Sequence, residues 1–115
     1  MADIRQMLEE MYRDFNARRV EEVLARMVPD VEWPNGWEGG YVHGYAGIRD
    51  YWTRQWAVLD PHVEPLNIAA DDRGRYVVEV HQVVKDKDGR LLADQVVHHA
   101  YTVRNGLIER MEIEP

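Results

Sequence analysis

The sequence predicts an α+β domain in which three helices of the N-terminal half pack on one face of an antiparallel sheet. Three observations predict it. Apolar residues at helical spacing are confined to the first sixty positions, alternating β-branched and aromatic runs fill the remainder, and tight-turn dipeptides separate those runs. At 115 residues the chain is expected to form a single domain spanning residues 1–115, with no repeat, linker or low-complexity stretch inside it.

The elements follow in order. Ile4, Met7, Leu8, Met11, Tyr12 and Phe15 recur at i, i+3 and i+4, with Asp3 as N-cap, so a first helix ends near Asn16. Val20, Val23, Leu24 and Met27 mark a shorter second helix that Pro29 ends. Val31-Glu32-Trp33 reads as a strand stopped by Pro34-Asn35-Gly36, and Tyr41-Val42-His43 could form another. Helical spacing returns at Ile48, Tyr51, Trp52, Gln55, Trp56 and Leu59, from near Tyr45 to a stop before Pro61. Four strands then follow, over 62–69, 75–85, 90–104 and 107–113. Asp72-Arg73-Gly74, Asp88-Gly89 and Asn105-Gly106 supply the turns, the last two being hairpin dipeptides.

Hairpin turns set which residues share a face. A two-residue turn at Asp88-Gly89 pairs Gln82 with Gln95, Val80 with Val97, Val78 with His99 and Tyr76 with Tyr101. A two-residue turn at Asn105-Gly106 pairs Val103 with Ile108, Tyr101 with Arg110 and His99 with Glu112. One face therefore carries Gln82, Gln95, His99, Tyr101, Arg110 and Glu112. The other carries His81, Val83, Val96, His98, Met111 and Ile113. Both faces are largely apolar, and no element remains to cover the second, so a second copy of the chain is its simplest cover.

Composition narrows the function. The chain carries 21 acidic and 14 basic residues, a formal charge of -7, which leaves no basic stripe for nucleic acid. No apolar run approaches the ~18 residues of a membrane span, and the N-terminus opens straight into an amphipathic helix, so a cytoplasmic protein is expected. With no cysteine or serine there is no disulfide, thiolate or serine triad, and no glycine-rich phosphate loop is present. The histidines lack the spacing of convergent metal ligands, and His98 and His99 point to opposite faces of one strand. Neither a metal nor another cofactor is expected.

The ordered segments Phe15-Asn16-Ala17, Val28-Pro29-Asp30-Val31-Glu32-Trp33, His43-Gly44-Tyr45-Ala46-Gly47-Ile48-Arg49 and Arg104-Asn105-Gly106-Leu107-Ile108 resemble the nuclear transport factor 2-like superfamily, in particular its SnoaL-like and ketosteroid isomerase-like members. The resemblance spans nearly the whole chain. It implies a cystatin-like cone: a curved sheet whose concave face holds the helices, an apolar pocket with polar groups at its floor, and frequent dimerisation through the outer sheet face. It also implies that the usual steroid-isomerase set is missing. Trp33 stands where those enzymes have their aspartate base, Met11 where they have an oxyanion tyrosine (with Tyr12 beside it), and His99 near their second oxyanion donor. In cyclase relatives a histidine and a strand carboxylate act as acid and base, and His99 with Glu112 is the nearest equivalent.

The candidate catalytic pair is thus His99 with Glu112, since a carboxylate beside an imidazole fixes its tautomer and favours its charged form. The competing reading is a hydrogen-bonded pair that satisfies a half-buried sheet end. Tyr12, Trp33, Trp37, Trp52, Gln82, Gln95, Tyr101 and Arg110 are the candidate ligand-binding residues, Trp52 serving the core as well. The expected partner is a small, largely apolar organic molecule, turned over by isomerase, dehydratase or cyclase-type proton transfer. A binding module or a bare dimeric scaffold is the alternative.

Overall fold

A computed structural model describes residues 3–114. Asp3 caps helix α1 (Ile4–Asn16), its Oδ1 accepting from the amides of Arg5 and Gln6 at 3.0 and 3.3 Å. Leu8, Met11 and Tyr12 form the buried stripe that the i, i+3, i+4 spacing predicts. Helix α2 (Val20–Leu24) is shorter than its apolar spacing suggests. The chain is already extended at Met27, which pairs with Ile108, while the Arg26 carbonyl accepts from the Ile108 amide at 2.8 Å. Pairing with the last strand therefore replaces the final helical turn.

Strand β1 (Met27–Pro34), strand β2 (Tyr41–His43) and helix α3 (Gly44–Val58) follow. The turn into α3 needs glycine at position 44. Its φ is +70°, and a Cβ there would lie 3.3 Å from the Pro29 carbonyl oxygen. Strands β3 (Leu59–Ala70), β4 (Tyr76–Asp86), β5 (Leu91–Arg104) and β6 (Leu107–Glu114) complete one six-stranded sheet in the order β2-β1-β6-β5-β4-β3. It is antiparallel throughout except where β1 runs parallel to β6. β3 carries Pro61 and Pro65 because it is an edge strand, where a missing amide breaks no inner ladder.

Asn16, at the end of α1, straps this edge to the helices. Its amide nitrogen donates to the Val63 carbonyl at 2.7 Å and its oxygen accepts from the Val63 amide at 2.9 Å. Asn16→Ala leaves both Val63 groups unpaired in a half-buried setting. A loss of about 1–3 kcal/mol in unfolding free energy is expected by urea denaturation. An unchanged midpoint would show the strap to be dispensable.

From Tyr76 to Val84 the β4–β5 register is the expected one, Gln82 pairing with Gln95, Val78 with His99 and Tyr76 with Tyr101. Nearer the turn Leu92 is an extra residue, Lys85 pairs with Leu91, and the Asp86 amide donates to the Arg90 carbonyl at 2.9 Å across three turn residues rather than the expected two. The β5–β6 register starts as expected, with Val103 opposite Ile108, and then slips, because Thr102 pairs with Arg110 and leaves Glu109 as an extra residue. Beyond this bulge His99 pairs with Ile113 and Ala100 with Glu112. Every side chain after Glu109 thus changes face. Met111 and Ile113 turn inward, and Arg110 and Glu112 turn outward, so the expected His99–Glu112 pair does not form.

Candidate functional site

The helices and the sheet's concave face enclose a cavity of about 560 Å³. α1 contributes Tyr12 and Phe15, β1 contributes Trp33, and α3 contributes Tyr51, Trp52 and Gln55. The sheet supplies Gln82 from β4, Gln95, His99 and Tyr101 from β5, and Met111 and Ile113 from β6. Among the described residues no Asp, Glu, Lys or Arg lines it. Trp37, Leu92 and Ile113 are all lining residues that remain substantially exposed, at 42%, 52% and 47%, and so form an apolar rim.

At the floor, three buried polar side chains make a short chain. The Tyr12 hydroxyl lies 2.8 Å from His99 Nδ1 and 2.7 Å from the Tyr101 hydroxyl. Helical spacing aims Tyr12 inward with Leu8 and Met11, while His99 and Tyr101 are two apart on β5 and so share a face. Burial, aided slightly by neighbouring His98, pushes the His99 imidazole down to about 4, so it is neutral at pH 7. Burial also holds both Tyr12 and Tyr101 well above the usual tyrosine range. Next to the floor Trp52 meets Trp33 edge-to-face at 5.6 Å, and Trp33 approaches Tyr101 at 6.1 Å. Near the mouth the Gln95 amide donates to the Gln82 carbonyl oxygen at 3.4 Å.

Eight of the ten expected site residues therefore line one cavity: His99, Tyr12, Trp33, Trp37, Trp52, Gln82, Gln95 and Tyr101. Two do not. Glu112 accepts from Arg110 Nε at 3.1 Å on the outer side of the sheet, and Arg110 also reaches Glu32 at 3.0 Å and covers the Tyr41 ring at 4.6 Å. Both were displaced by the Glu109 bulge. His81 and His98 lie on the outer face, 2.7 Å from Asp94 and 3.7 Å from Glu79. The polar lining residues that sequence reasoning passed over are Tyr51 and Gln55, and the apolar ones include Phe15, Leu92, Met111 and Ile113. Gln55 carried a signal, since it is a polar residue on the inward stripe of Ile48, Tyr51 and Trp52. It donates to the Tyr51 hydroxyl at 3.2 Å.

A cone of this topology with a closed polar floor defines a class of small α+β pocket proteins, and comparisons with known proteins agree. The model of the SnoaL-like domain matches residues 8–111, and the chain belongs to that family. A nuclear transport factor 2-like protein of unknown function from Burkholderia pseudomallei superposes with a TM-score of 0.84 at 24% identity, over 99% of this chain and 91% of that one. TerC, co-crystallised with polyporic acid, gives 0.82 at 30% identity, over 96% and 89%. A putative polyketide cyclase from Xanthomonas campestris gives 0.81 at 19% identity, over 96% and 87%. The comparison with curated proteins finds no match. No described helix is long and apolar enough to cross a membrane.

Proposed function

We propose that this protein holds a small, largely apolar, uncharged organic molecule in the cavity and acts on it through His99, in chemistry of the isomerase, dehydratase or cyclase type. One observation carries this reading: a cavity of about 560 Å³, walled by aromatic and aliphatic groups, ends on a neutral imidazole and has no charged side chain among the described residues that line it. That volume lies within the usual range for sites that take up small molecules. A charged ligand group would be desolvated there with no partner of opposite sign. The 30% identity to TerC, a protein co-crystallised with polyporic acid, supports the use of this fold for an organic ligand.

A second reading, binding without turnover, is favoured by the position of Glu112. Without a carboxylate beside it, His99 lacks the partner that would stabilise an imidazolium. A thermal-shift screen of apolar ketones, lactones and terpenoids identifies ligands, since saturation at 100 times the dissociation constant adds about 2.7 kcal/mol. Turnover of a hit is expected to fall by about 10²–10⁴-fold in His99→Gln, the usual range for a lost acid–base group, and to persist in Glu112→Gln. Equal turnover by His99→Gln and the parent protein would leave the binding module. We place a homodimer contact on the outer sheet face, where Val96 is half exposed and no described helix lies over it. Sedimentation of the parent protein and of Val96→Glu tests it, a monomer in both cases excluding that contact.

A further inference from the structure

We propose that Tyr101 and Tyr12 lock His99 in the tautomer that carries its proton on Nε2, so that the cavity floor offers a hydrogen-bond donor and selects ligands that meet it with a carbonyl oxygen. The inference deepens the proposed function and rests on the reading of the cavity as a small-molecule site.

Three groups share two contacts: Tyr101 Oη to Tyr12 Oη at 2.7 Å, and Tyr12 Oη to His99 Nδ1 at 2.8 Å. Tyr101 is 0% exposed and Tyr12 2%, so neither hydroxyl can turn to solvent. Tyr12 is the only hydrogen-bond partner of the Tyr101 hydroxyl among the described residues. A buried O–H must donate to something, and for Tyr101 that acceptor is the Tyr12 oxygen. The Tyr12 proton then cannot occupy the same contact. It goes to His99 Nδ1, which must present a lone pair.

The alternatives each leave a buried donor unpaired. If Nδ1–H donates to Tyr12 and Tyr12 donates to Tyr101, the Tyr101 proton has no acceptor. If His99 and Tyr101 both donate to Tyr12, the Tyr12 proton has none. Only one direction pairs all three groups.

A neutral imidazole that accepts at Nδ1 holds its proton at Nε2. Nε2 makes no hydrogen bond to the described residues. It is also absent from the buried unpaired side-chain atoms, of which Trp56 Nε1 is the one among the described residues. Nε2 is therefore open, and His99 lines the cavity. The cross-strand neighbours of His99 are Val78 and Ile113, which compete for neither nitrogen.

The consequence narrows the role expected of this histidine from acid or base to donor. An Nε2–H does not remove a proton. It polarises a carbonyl and stabilises negative charge that gathers on the oxygen, as when a neighbouring carbon is deprotonated or a nucleophile adds. Tyr12 and Tyr101 are then positioning residues, acting on the ligand through His99.

Nuclear magnetic resonance of the nitrogen-15-labelled full chain at pH 7 reads the tautomer directly. The expected spectrum has a protonated Nε2 and an unprotonated Nδ1. A protonated Nδ1 in the parent protein overturns the proposal, whatever the variants do. In Tyr12→Phe the second tautomer is expected to become populated and the two nitrogen shifts to approach each other. Unchanged shifts there would remove Tyr12 as the lock. Matched probes test selection: bicyclic ketones such as α-tetralone against methylene analogues such as tetralin. The ketones are expected to bind about tenfold more tightly, the worth of one net hydrogen bond, and to shift the Nε2 signal. Equal binding of both classes overturns carbonyl selection. Binding of neither, with the tautomer as expected, instead overturns the small-molecule reading of the cavity.

Discussion

Trp52→Ala is expected to lower the unfolding free energy by about 3–5 kcal/mol, a large share of the 5–15 kcal/mol typical of a whole domain. The indole is 1% exposed and sits where three elements meet. It packs edge-to-face on Phe15 of α1 at 5.2 Å and on Trp33 of β1 at 5.6 Å, and stacks on Trp56 of its own helix at 5.6 Å. Each aromatic contact adds to the area the ring buries. The neighbours cannot follow a truncated side chain inward, because Trp33 is held in the sheet and Phe15 by the helix that Asn16 straps to β3. The space would merge with the cavity, and the deleted contacts would find no replacement. Guanidinium unfolding should show a lower midpoint with an unchanged m-value. Trp52→Phe, which keeps an aromatic face toward Phe15, should lose clearly less. A drop below about 1 kcal/mol in Trp52→Ala would show that the ring serves the cavity wall alone.

What could be read in advance depended on whether a local signal decided the geometry. Helices α1 and α3 and the β4–β5 pairing from Tyr76 to Val84 were legible because spacing, caps and turn dipeptides all act over a few residues, whereas the end of α2 and the exact β4–β5 turn were not. Asp3, the stripe of Leu8, Met11 and Tyr12, and the Gln82–Gln95 pairing stand as expected. The turn at Asn105-Gly106 was legible too, both residues having positive φ, at 53° and 80°. The bulge after it was not read, although its trace is present. Ile108 and Met111 are 0% and 2% exposed, yet they are three apart, an odd separation that strict alternation cannot bury on one face. Burial of both methionine and isoleucine outweighed regular pairing, and Glu109 absorbed the mismatch. The same slip removed Glu112 from His99 and gave Arg110 its outer partners. A fault of one residue in one strand thus changed the candidate chemistry while leaving the fold untouched. Tyr12 as the partner of His99 was beyond local reading, since it joins residues 87 positions apart.

Between pH 6.5 and about 4 the protein is expected to lose about 3 kcal/mol of stability through His99 alone. The sign follows from where each state takes up its proton. In the unfolded chain the imidazole titrates near the ordinary value of 6.5, whereas burial in the fold lowers it to about 4. Between those values the unfolded state binds more protons, so stability rises with pH there. The contribution is complete above 6.5, is lost progressively as pH falls, and loses nothing further once both states are protonated. A shift of this size at about 1.4 kcal/mol per unit gives the magnitude. Protonation also disrupts the floor. An imidazolium has a proton on Nδ1 as well, which faces the proton Tyr12 already donates, so the chain must reverse and leave the Tyr101 hydroxyl without an acceptor. Urea unfolding at a series of pH values, in the parent protein and in His99→Asn, measures the effect. Asparagine keeps an acceptor for the Tyr12 proton but does not titrate, so its stability should fall less steeply across this window. Parallel curves for the two proteins would show that His99 is not held neutral by burial. Protonating this one side chain would also convert the floor from a neutral donor to a cation facing an apolar cavity.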